Sequence, residues 1–380
     1  MTTERRRVGV NLLWLVPGEV GGSEEYTVRL LTALARERVE DLDVVLYVNR
    51  SFRPAHAELC DAFTTRTAPV SGSSRPLRVL AESTWLAWRT RRDGCRIVHH
   101  AGGTMPFLRT TPGIVTLHDL QPLSEPQRFG VVKRTYIRMV APRSLRAAVA
   151  VVCLTRFTAD DAVERAGVHP ERVHLVPCGI DDPGASVDPA RSSALLERLD
   201  LVDRPFILYP AITYPHKNHA TLVAAFAALR ALRPRLRIVL TGGEGASEAV
   251  VRAAIAAYGV TDDVVRTGRV PEADLDVLYR TATVMAFPSC YEGFGLPVLE
   301  AMARGCPVVA SDVGGLPLVT GGAALLVAPL DVAGWADALG SVIDEPARRS
   351  VLVRQGFERV GSFAWPDSAA ALASVYREAR

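Results

Sequence analysis

Short apolar runs alternate with longer amphipathic stretches along the whole chain. The runs Asp43–Val48 and Gly113–Leu117 are almost continuously apolar, which is typical of strands buried on both faces of a parallel sheet. Between such runs apolar residues recur at helical spacing, as in the stretch from Ser23, the predicted N-cap, to Ala35. This alternation predicts an α/β fold in which helices cover both faces of a parallel sheet.

A segment rich in Asp, Gly, Pro and Ser, Asp181–Pro189, interrupts the alternation. A second strand–helix series begins at Phe206–Tyr209 and ends with a predicted helix over Ser368–Glu378. The length of 380 residues suits two such halves. We therefore expect two Rossmann-like domains whose ligands bind at the carboxyl ends of the strands, in the cleft between the halves.

Charge is unevenly spread over the two halves. Residues 1–180 carry 25 Lys and Arg against 18 Asp and Glu, whereas the remainder carries 19 against 23. The N-terminus lacks the apolar core of a secretory signal, and no apolar run is long enough to span a bilayer. Six scattered cysteines without a C-x-x-C pair argue against a structural zinc site and a disulfide framework. We expect a cytoplasmic protein.

The segment most informative about chemistry runs from Phe287 to Ala303. A strand is predicted to end at Phe287, a Gly-rich loop follows, and Pro297 stands where a helix would begin. Backbone N–H groups at a helix N-terminus suit a phosphate, and the carboxylates of Glu292 and Glu300 suit sugar hydroxyls. The pattern indicates a nucleotide-sugar site; the alternative is a Gly-Pro turn with two solvated glutamates.

The run E-G-F-G-L-P-V-L-E from Glu292 to Glu300, followed by Gly305-x-Pro307, resembles the signature of family 4 retaining glycosyltransferases. Further matching segments include Val115–Asp119, Val176–Asp181 and Thr267–Val270. The resemblance implies the GT-B fold, with an acceptor domain over 1–182, a donor domain over 183–362, and a C-terminal helix within 363–380 that packs back on the first domain. The form of the segment around Lys217 looks like the branch that transfers mannose or rhamnose.

The resemblance also implies roles for the residues of the donor domain. Glu300 would hold the ribose hydroxyls, Glu292 would contact the donor sugar, and backbone amides of the Gly-rich loop would cradle the sugar and distal phosphate. The predicted donor-binding residues are Thr213, Lys217, Arg269, Glu292, Gly293, Phe294, Gly295, Leu296 and Glu300.

Lys217 is one of only two lysines in a chain with 42 arginines. A lysine in the loop after the first strand of the second half can neutralise a departing diphosphate as a point charge. The family usually has an arginine five residues earlier, and here that position is Ile212. We expect Arg269 to supply the second cation, with a further hydrogen bond from the hydroxyl of Thr213.

Two loops of the first half are predicted to complete the site. His118 and Asp119 close the strand Gly113–Leu117, where a histidine can bond a sugar hydroxyl, and the resemblance places His118 beside the donor sugar. Gly21 and Gly22 form a loop that the family uses near phosphate and acceptor. Glu24 either touches the acceptor or is a solvated glutamate in the first turn of a helix, and Asp119 orients its loop. The predicted catalytic residues are His118, Lys217 and Glu292.

No metal or other cofactor is expected. His99 and His100 are adjacent on a strand and so point to opposite faces, which disfavours a zinc site. The two Asp-x-Asp pairs, at Asp41 and Asp274, lie remote from the motifs or on a predicted helix. The basic segment 127–147 either lies on an anionic membrane surface or is an ordinary amphipathic helix. No pattern specific for nucleic acid is present.

These features predict a retaining glycosyltransferase that moves a hexose from a nucleoside-diphosphate sugar to a sugar, lipid-linked or small-molecule acceptor. The base and sugar stay open among GDP-mannose, UDP-sugars and dTDP-rhamnose. A nicotinamide oxidoreductase would need G-x-G-x-x-G after the first strand, and the first loop does not fit. A non-catalytic sugar-nucleotide-binding protein and an epimerase of similar fold are the alternatives.

Overall fold

The computed structural model describes residues 5–19, 21–121, 131–184 and 187–379, with the side chains of 131–137 excepted. The chain forms two compact units. Unit 1 contains the chain up to Gly179 and again from Phe363, and unit 2 contains Ile180–Ser362.

In unit 1, the described residues form a seven-stranded sheet in the order β3-β2-β1-β4-β5-β6-β7, with every pair of neighbours parallel. The strands are β1 (Arg6–Leu12), β2 (Leu42–Val48), β3 (Thr64–Thr67), β4 (Ile97–His100), β5 (Gly113–Leu117), β6 (Ala150–Cys153) and β7 (Val173–Leu175). The helices are α1 (Gly22–Arg36), α2 (Phe52–Ala55), α3 (Ala57–Ala62), α4 (Arg75–Ala81), a π-helical turn (Glu82–Leu86), α5 (Ala87–Arg92), α6 (Val131–Ala147) and α7 (Arg156–Glu164).

A C-terminal helix, Trp365–Glu378, completes unit 1 and packs against α1. Tyr376 on this helix is fully buried, and its hydroxyl lies 2.7 Å from Nδ1 of His99 on β4. Gly179 lies so close to the ring of Trp365 that a Cβ there would come within 2.5 Å of it. The last helix is therefore part of the core of unit 1.

In unit 2, the described strands form a six-stranded parallel sheet in the order β10-β9-β8-β11-β12-β13. The strands are β8 (Phe206–Pro210), β9 (Arg237–Thr241), β10 (Val264–Gly268), β11 (Val284–Phe287), β12 (Val308–Ser311) and β13 (Leu325–Val327). The helices are α8 (Pro189–Arg198), α9 (His219–Leu232), α10 (Glu248–Ala257), α11 (Glu272–Thr281), α12 (Leu296–Ala303), α13 (Leu316–Thr320), α14 (Val332–Asp344) and α15 (Pro346–Val360).

The predicted alternation of strands and helices is confirmed in both units, and the differences are local. Ser23 is not an N-cap, because α1 already begins at Gly22 and Gly21 holds the N-cap position with φ 64°. The strand β3 was missed since its sequence, Thr-Thr-Arg-Thr, is polar and it lies at a sheet edge. Among the described residues, no helix is both long and apolar enough to cross a membrane.

Candidate active site

The loops at the carboxyl edge of the unit 2 sheet are tied to one another by backbone hydrogen bonds. Because the strands are parallel, the loops that follow β8 to β12 all emerge at the same edge. The bonds run from N–H of Ala211 to C=O of Thr241 (2.8 Å), Gly242 to Gly268 (2.8 Å), Cys290 to His216 (2.7 Å) and Gly315 to Glu292 (2.9 Å).

Lys217 and Glu292 meet at this edge. Lys217 Nζ donates to Glu292 Oε1 at 2.5 Å, and the side chains are only 18% and 13% exposed. The ammonium also lies 5.2 Å from the centre of the Phe287 ring, where the π-electrons attract a cation. Two residues 75 positions apart in sequence thus form a sheltered ion pair where the loops after β8 and β11 come together.

Asn218 holds the loop that carries Lys217. Its backbone is left-handed, with φ 54° and ψ 39°, and it precedes helix α9. Its side-chain amide donates to the carbonyl of Pro288 at 3.1 Å and to that of Pro329 at 2.7 Å. The buried Tyr209 hydroxyl donates to the Lys217 carbonyl at 2.6 Å. The main chain at the Lys217 carbonyl and at the residue after it is therefore fixed.

The Gly-rich loop ends at Gly295, whose φ of 91° and ψ of 50° form the N-cap of α12. A Cβ at this position would lie 2.5 Å from Leu316, so both the backbone angle and the space require glycine. Pro297 is within the first turn of α12, as predicted. One turn further along α12, Oε2 of Glu300 accepts a hydrogen bond from the Tyr279 hydroxyl at 3.1 Å.

Thr213 is buried inside a network under the Gly242–Ser247 loop. Its hydroxyl donates to Glu248 Oε2 at 3.0 Å and accepts the N–H of Gly245 at 2.7 Å. Both guanidinium NH groups of Arg266 donate to Glu248 at 2.8 Å. These hydrogen bonds, with that of Arg266 foremost, lower the pKa of Glu248 to about 2. The Thr213 hydroxyl is thus hydrogen-bonded within unit 2, to Glu248 and Gly245.

Arg269 follows β10 and has an exposed side chain. A Cβ on Gly243 would lie 3.3 Å from Arg269 Nε, so the arginine side chain extends beside that glycine. Ile212 lies on another side of the same loop, with its Cγ2 at 3.0 Å from a Cβ placed on Gly245. The isoleucine therefore contributes an apolar contact to the loop, and Arg269 brings a cation to the loop's edge.

In unit 1, His118 lies at the carboxyl end of β5. Its Nε2 is 2.9 Å from the carbonyl of Ala101, and its ring contacts those of Tyr26 and Trp14 at centroid distances of 5.6 and 6.1 Å. Burial lowers the pKa of His118 to about 4, against the opposing effect of the Ala101 carbonyl. A neutral imidazole whose Nε2–H donates to a carbonyl has Nδ1 as an acceptor.

The loop between β1 and α1 is held by Glu24. One oxygen of Glu24 accepts the N–H of Gly18 at 2.8 Å, and the other lies 2.9 Å from His56 Nε2. The Glu24 side chain is 14% exposed, so the interpretation as a solvated glutamate is wrong. Gly21, with φ 64°, and Gly22 have open space around the Cβ position. Asp119 accepts the N–H of Gln121 at 3.0 Å.

The residues considered for metal binding have other contacts. His99 bonds Tyr376 and Thr116, while His100 lies 3.2 Å from the side chain of Asn11. Asp274 is on α11 and pairs with Arg191 at 2.5 Å. Across the described ranges no group of three His, Cys, Asp or Glu side chains is arranged to hold a metal ion. Of the basic segment 127–147, residues 127–130 and the side chains of 131–137 lie outside the described part of the chain.

Sequence reasoning missed the residues that support Lys217. Asn218 was not singled out, and the contact of Phe287 with the ammonium was not foreseen. A left-handed asparagine before an apolar helix is a recognisable local signal, because asparagine tolerates positive φ better than other residues with a side chain. The Glu248–Arg266 pair depends on the register of β10, which no local pattern reveals.

Two family models match the chain. The model named Glycosyltransferase Family 4 matches residues 20–182, and the model named Glycosyl transferases group 1 matches residues 196–359. The D-inositol 3-phosphate glycosyltransferase 1 of Catenulispora acidiphila is 30% identical over 393 residues, which covers 95% of this chain and 92% of that protein. The chain therefore belongs to glycosyltransferase family 4.

Two further relatives carry the names of different activities. A D-inositol 3-phosphate glycosyltransferase of Xylanimonas cellulosilytica is 37% identical over 240 residues, covering 60% of this chain and 57% of that protein. The O-antigen chain mannosyltransferase B of Escherichia coli is 27% identical over 293 residues, covering 77% of this chain and 76% of that protein.

Among solved structures, the sucrose-phosphate synthase of Thermosynechococcus elongatus is similar in fold. It has a TM-score of 0.77 and 24% identity, and the match covers 98% of this chain and 99% of that one. The predicted membership of family 4 and the GT-B class of fold are confirmed. The chain is thus a glycosyltransferase, and the roles of individual site residues remain predictions.

Proposed function

We propose that the protein transfers a hexose, such as mannose or rhamnose, from a nucleoside-diphosphate sugar to an acceptor hydroxyl, with retention at the anomeric carbon. The products would belong to glycan, glycolipid or glycosylated natural-product biosynthesis in the cytoplasm. The observation that carries the proposal is the sheltered pair of Lys217 and Glu292 beside the N-terminus of α12. The family relatives, one of which is a mannosyltransferase, support the sugar class.

The chemistry assigned to the pair is charge stabilisation. The bond from the anomeric carbon to the diphosphate oxygen breaks, and its electrons stay on the diphosphate. The acceptor oxygen bonds the same face of that carbon, and its proton passes to the departing phosphate. Lys217 has three N–H donors, of which one binds Glu292, so it can also bind the developing phosphate charge. Glu292 would accept sugar hydroxyls and Glu300 ribose hydroxyls.

Because Ile212 stands where the family usually has an arginine, the donor site needs a cation from another residue. Arg269 is proposed for this role, because its side chain lies along Gly243 at the same sheet edge. His118 would accept a donor-sugar hydroxyl at Nδ1, since its Nε2–H is used by Ala101. No step in this scheme requires a metal, so transfer is expected to continue in the presence of a chelator.

A direct test begins with thermal shift against GDP-mannose, UDP-glucose and dTDP-rhamnose, since a ligand of the native state raises the melting temperature. Nucleoside-diphosphate release is then measured with inositol 3-phosphate and mannose-terminated oligosaccharides as acceptors. Lys217→Ala should lower kcat by about 10²- to 10³-fold, as loss of one charge-stabilising donor typically does. A melting shift without release or transfer by the wild type would favour a non-catalytic binder, and wild-type turnover by Lys217→Ala would refute the proposed role.

The second cation has its own test. Arg269→Ala should raise the KM for the donor, whereas the matched exposed variant Arg252→Ala should leave it unchanged, since Arg252 pairs with Glu244 and Glu248. Ile212→Arg should restore the family pattern and lower the donor KM. Equal donor KM values for the wild type and Arg269→Ala would exclude Arg269 from the donor site.

A further inference from the structure

Glu300, the proposed ribose ligand, is held at both its side chain and its main chain. The Tyr279 hydroxyl donates to Glu300 Oε2 at 3.1 Å, and a terminal NH group of Arg304 donates to the Glu300 carbonyl at 3.1 Å. The guanidinium carbon of Arg304 lies 5.4 Å from the centre of the Tyr279 ring, which adds a cation–π contact. The two residues that bind Glu300 therefore contact each other as well.

Asp276 fixes Arg304 from the helix α11. Its carboxylate accepts hydrogen bonds from Nε of Arg304 and, at 2.9 Å, from Nε of Arg280. The side chains of Asp276 and Arg304 are 15% and 14% exposed, and Tyr279 is buried. Because Asp276 and Tyr279 are three residues apart, they lie on the same face of α11. We call Asp276, Tyr279 and Arg304 the Glu300 support.

The two aspartates of the Asp274-x-Asp276 pair have separate sets of partners. Residues two apart on a helix are about 200° apart around its axis, so the two side chains leave α11 on different sides. Asp274 accepts from Nε of Arg191 on α8 at 2.9 Å and from Arg198 at 3.2 Å. Each aspartate thus has two arginine partners, but only Asp276 is connected to Glu300 through one of them.

We propose that the Glu300 support is a set of positioning residues that directs the Glu300 carboxylate at the ribose hydroxyls of the donor. The inference rests on the proposed function, because it takes Glu300 as the ribose ligand. The last torsion of a glutamate side chain has no sharp minimum, so a hydrogen bond is needed to fix the direction of the carboxylate. Each carboxylate oxygen can accept two hydrogen bonds, so Oε2 can bind the tyrosine and a sugar hydroxyl together.

The Tyr279 hydroxyl is suited to this role because it stays protonated. Burial first, and then the neighbouring Glu300 carboxylate, raises the pKa of Tyr279 well above its ordinary value. The phenol therefore donates to Glu300 at every pH at which the protein is assayed. A carboxylate already fixed in the free protein loses less freedom when the ribose binds, and the support should increase affinity in this way.

Isothermal titration calorimetry of the full chain tests the proposal with GDP, UDP and dTDP, each compared with its 2′,3′-dideoxyribose analogue. The wild type should bind its preferred nucleotide at least about tenfold more tightly than the analogue, as hydrogen bonds to a charged group predict. Tyr279→Phe should reduce this preference to about threefold or less, with the affinity for the analogue changed by less than about twofold. A merely structural loss would weaken both ligands alike.

Two matched controls separate positioning from stability. Asp276→Asn should also reduce the preference, because it weakens the contact that holds Arg304, whereas Asp274→Asn loses a comparable pair of arginine contacts and should keep the full preference. Tyr376→Phe removes a buried tyrosine hydroxyl in unit 1 and should keep it too. Circular dichroism should show every variant folded.

The outcomes distinguish this inference from the proposed function. Full preference in Tyr279→Phe would overturn the positioning role and leave the proposed function standing. An equal loss of preference in Asp274→Asn would overturn it as well, because the preference would then follow the stability of α11. A wild type that binds a nucleotide without preferring it to the analogue would remove the ribose role of Glu300 and its support together. A wild type that binds none of the three nucleotides would instead refute the proposed function.

Discussion

Asn218 combines a left-handed backbone with a side chain that connects three parts of unit 2. Different substitutions at Asn218 separate the contribution of the backbone conformation from that of the side-chain hydrogen bonds. Asn218→Gly keeps easy access to φ 54° but removes the hydrogen bonds to Pro288, Pro329 and Thr221. Asn218→Ala removes the same bonds and adds backbone strain. Asn218→Asp retains the shape and the tolerance of positive φ but places a carboxylate against two carbonyl oxygens.

The magnitudes follow from these contacts. Two carbonyls that lose their donor should each cost about 1–1.5 kcal/mol, because the site is partly buried, so Asn218→Gly should lower the free energy of unfolding by about 2–3 kcal/mol. The left-handed region costs alanine about 1–2 kcal/mol, of which the greater chain entropy of unfolded glycine offsets a part. Asn218→Ala should therefore be about 1 kcal/mol less stable than Asn218→Gly, and Asn218→Asp the least stable.

Urea unfolding at neutral pH measures the order of stability. Donor-dependent nucleotide release gives a second readout, since the variants free the loop that holds Lys217 and should lower kcat beyond any change in folded fraction. The reasoning is refuted if the alanine and glycine variants have equal stability, or if the aspartate variant equals the wild type. Equal stability of all three variants would show that the interloop hydrogen bonds, rather than φ, determine the stability of this loop.

Three other predictions concern stability. Glu248→Gln should lower the free energy of unfolding by about 2–3 kcal/mol at pH 7. The pKa of Glu248 in the folded protein, about 2, lies below its ordinary value of 4.5, so the wild-type advantage is present above pH 4.5 and is lost as pH falls towards 2. Midpoints of urea unfolding measured as a function of pH would show this loss. Gly295→Ala should lower the free energy of unfolding by at least about 2 kcal/mol and weaken donor binding. Gly259→Ala, which is also at positive φ but has open space around the Cβ position, should lower it by about 1 kcal/mol. Tyr376→Phe should lower the melting temperature, with a loss of about 1–3 kcal/mol, because it leaves His99 Nδ1 without its partner; an unchanged melting temperature would contradict this.

The sequence allowed the architecture to be predicted because strand and helix patterns are local. Buried parallel strands such as β2 and β11 are continuous or nearly continuous apolar runs, and Pro297 marked the start of α12 correctly. The missed elements include β3, which is short and polar, and α8, whose amphipathic pattern follows directly on the linker-like segment Asp181–Pro189. Their position is decided by pairing and packing with distant segments.

The candidate site was predictable only as a set of motif positions. The motif supplied Glu292 and Lys217, but their 2.5 Å contact depends on the neighbouring placement of β8 and β11. The assumption that Glu24 is solvated failed since its partner His56, 32 residues away, lies between two short helices that were not predicted. Side-chain partners from separate strands and helices cannot be read from local spacing.

The C-terminal helix gives unit 1 a discontinuous chain. A ribosome completes all of unit 2 before it adds Trp365 and Tyr376, the residues that fill the unit 1 core beside Gly179 and His99. The N-terminal part of unit 1 therefore lacks part of its core until the C-terminal helix has been synthesised. Premature termination shortly after Ser362 would leave the proposed donor-site residues of unit 2 intact and damage the other unit, so nonsense variants near the end should act as folding defects of the N-terminal half.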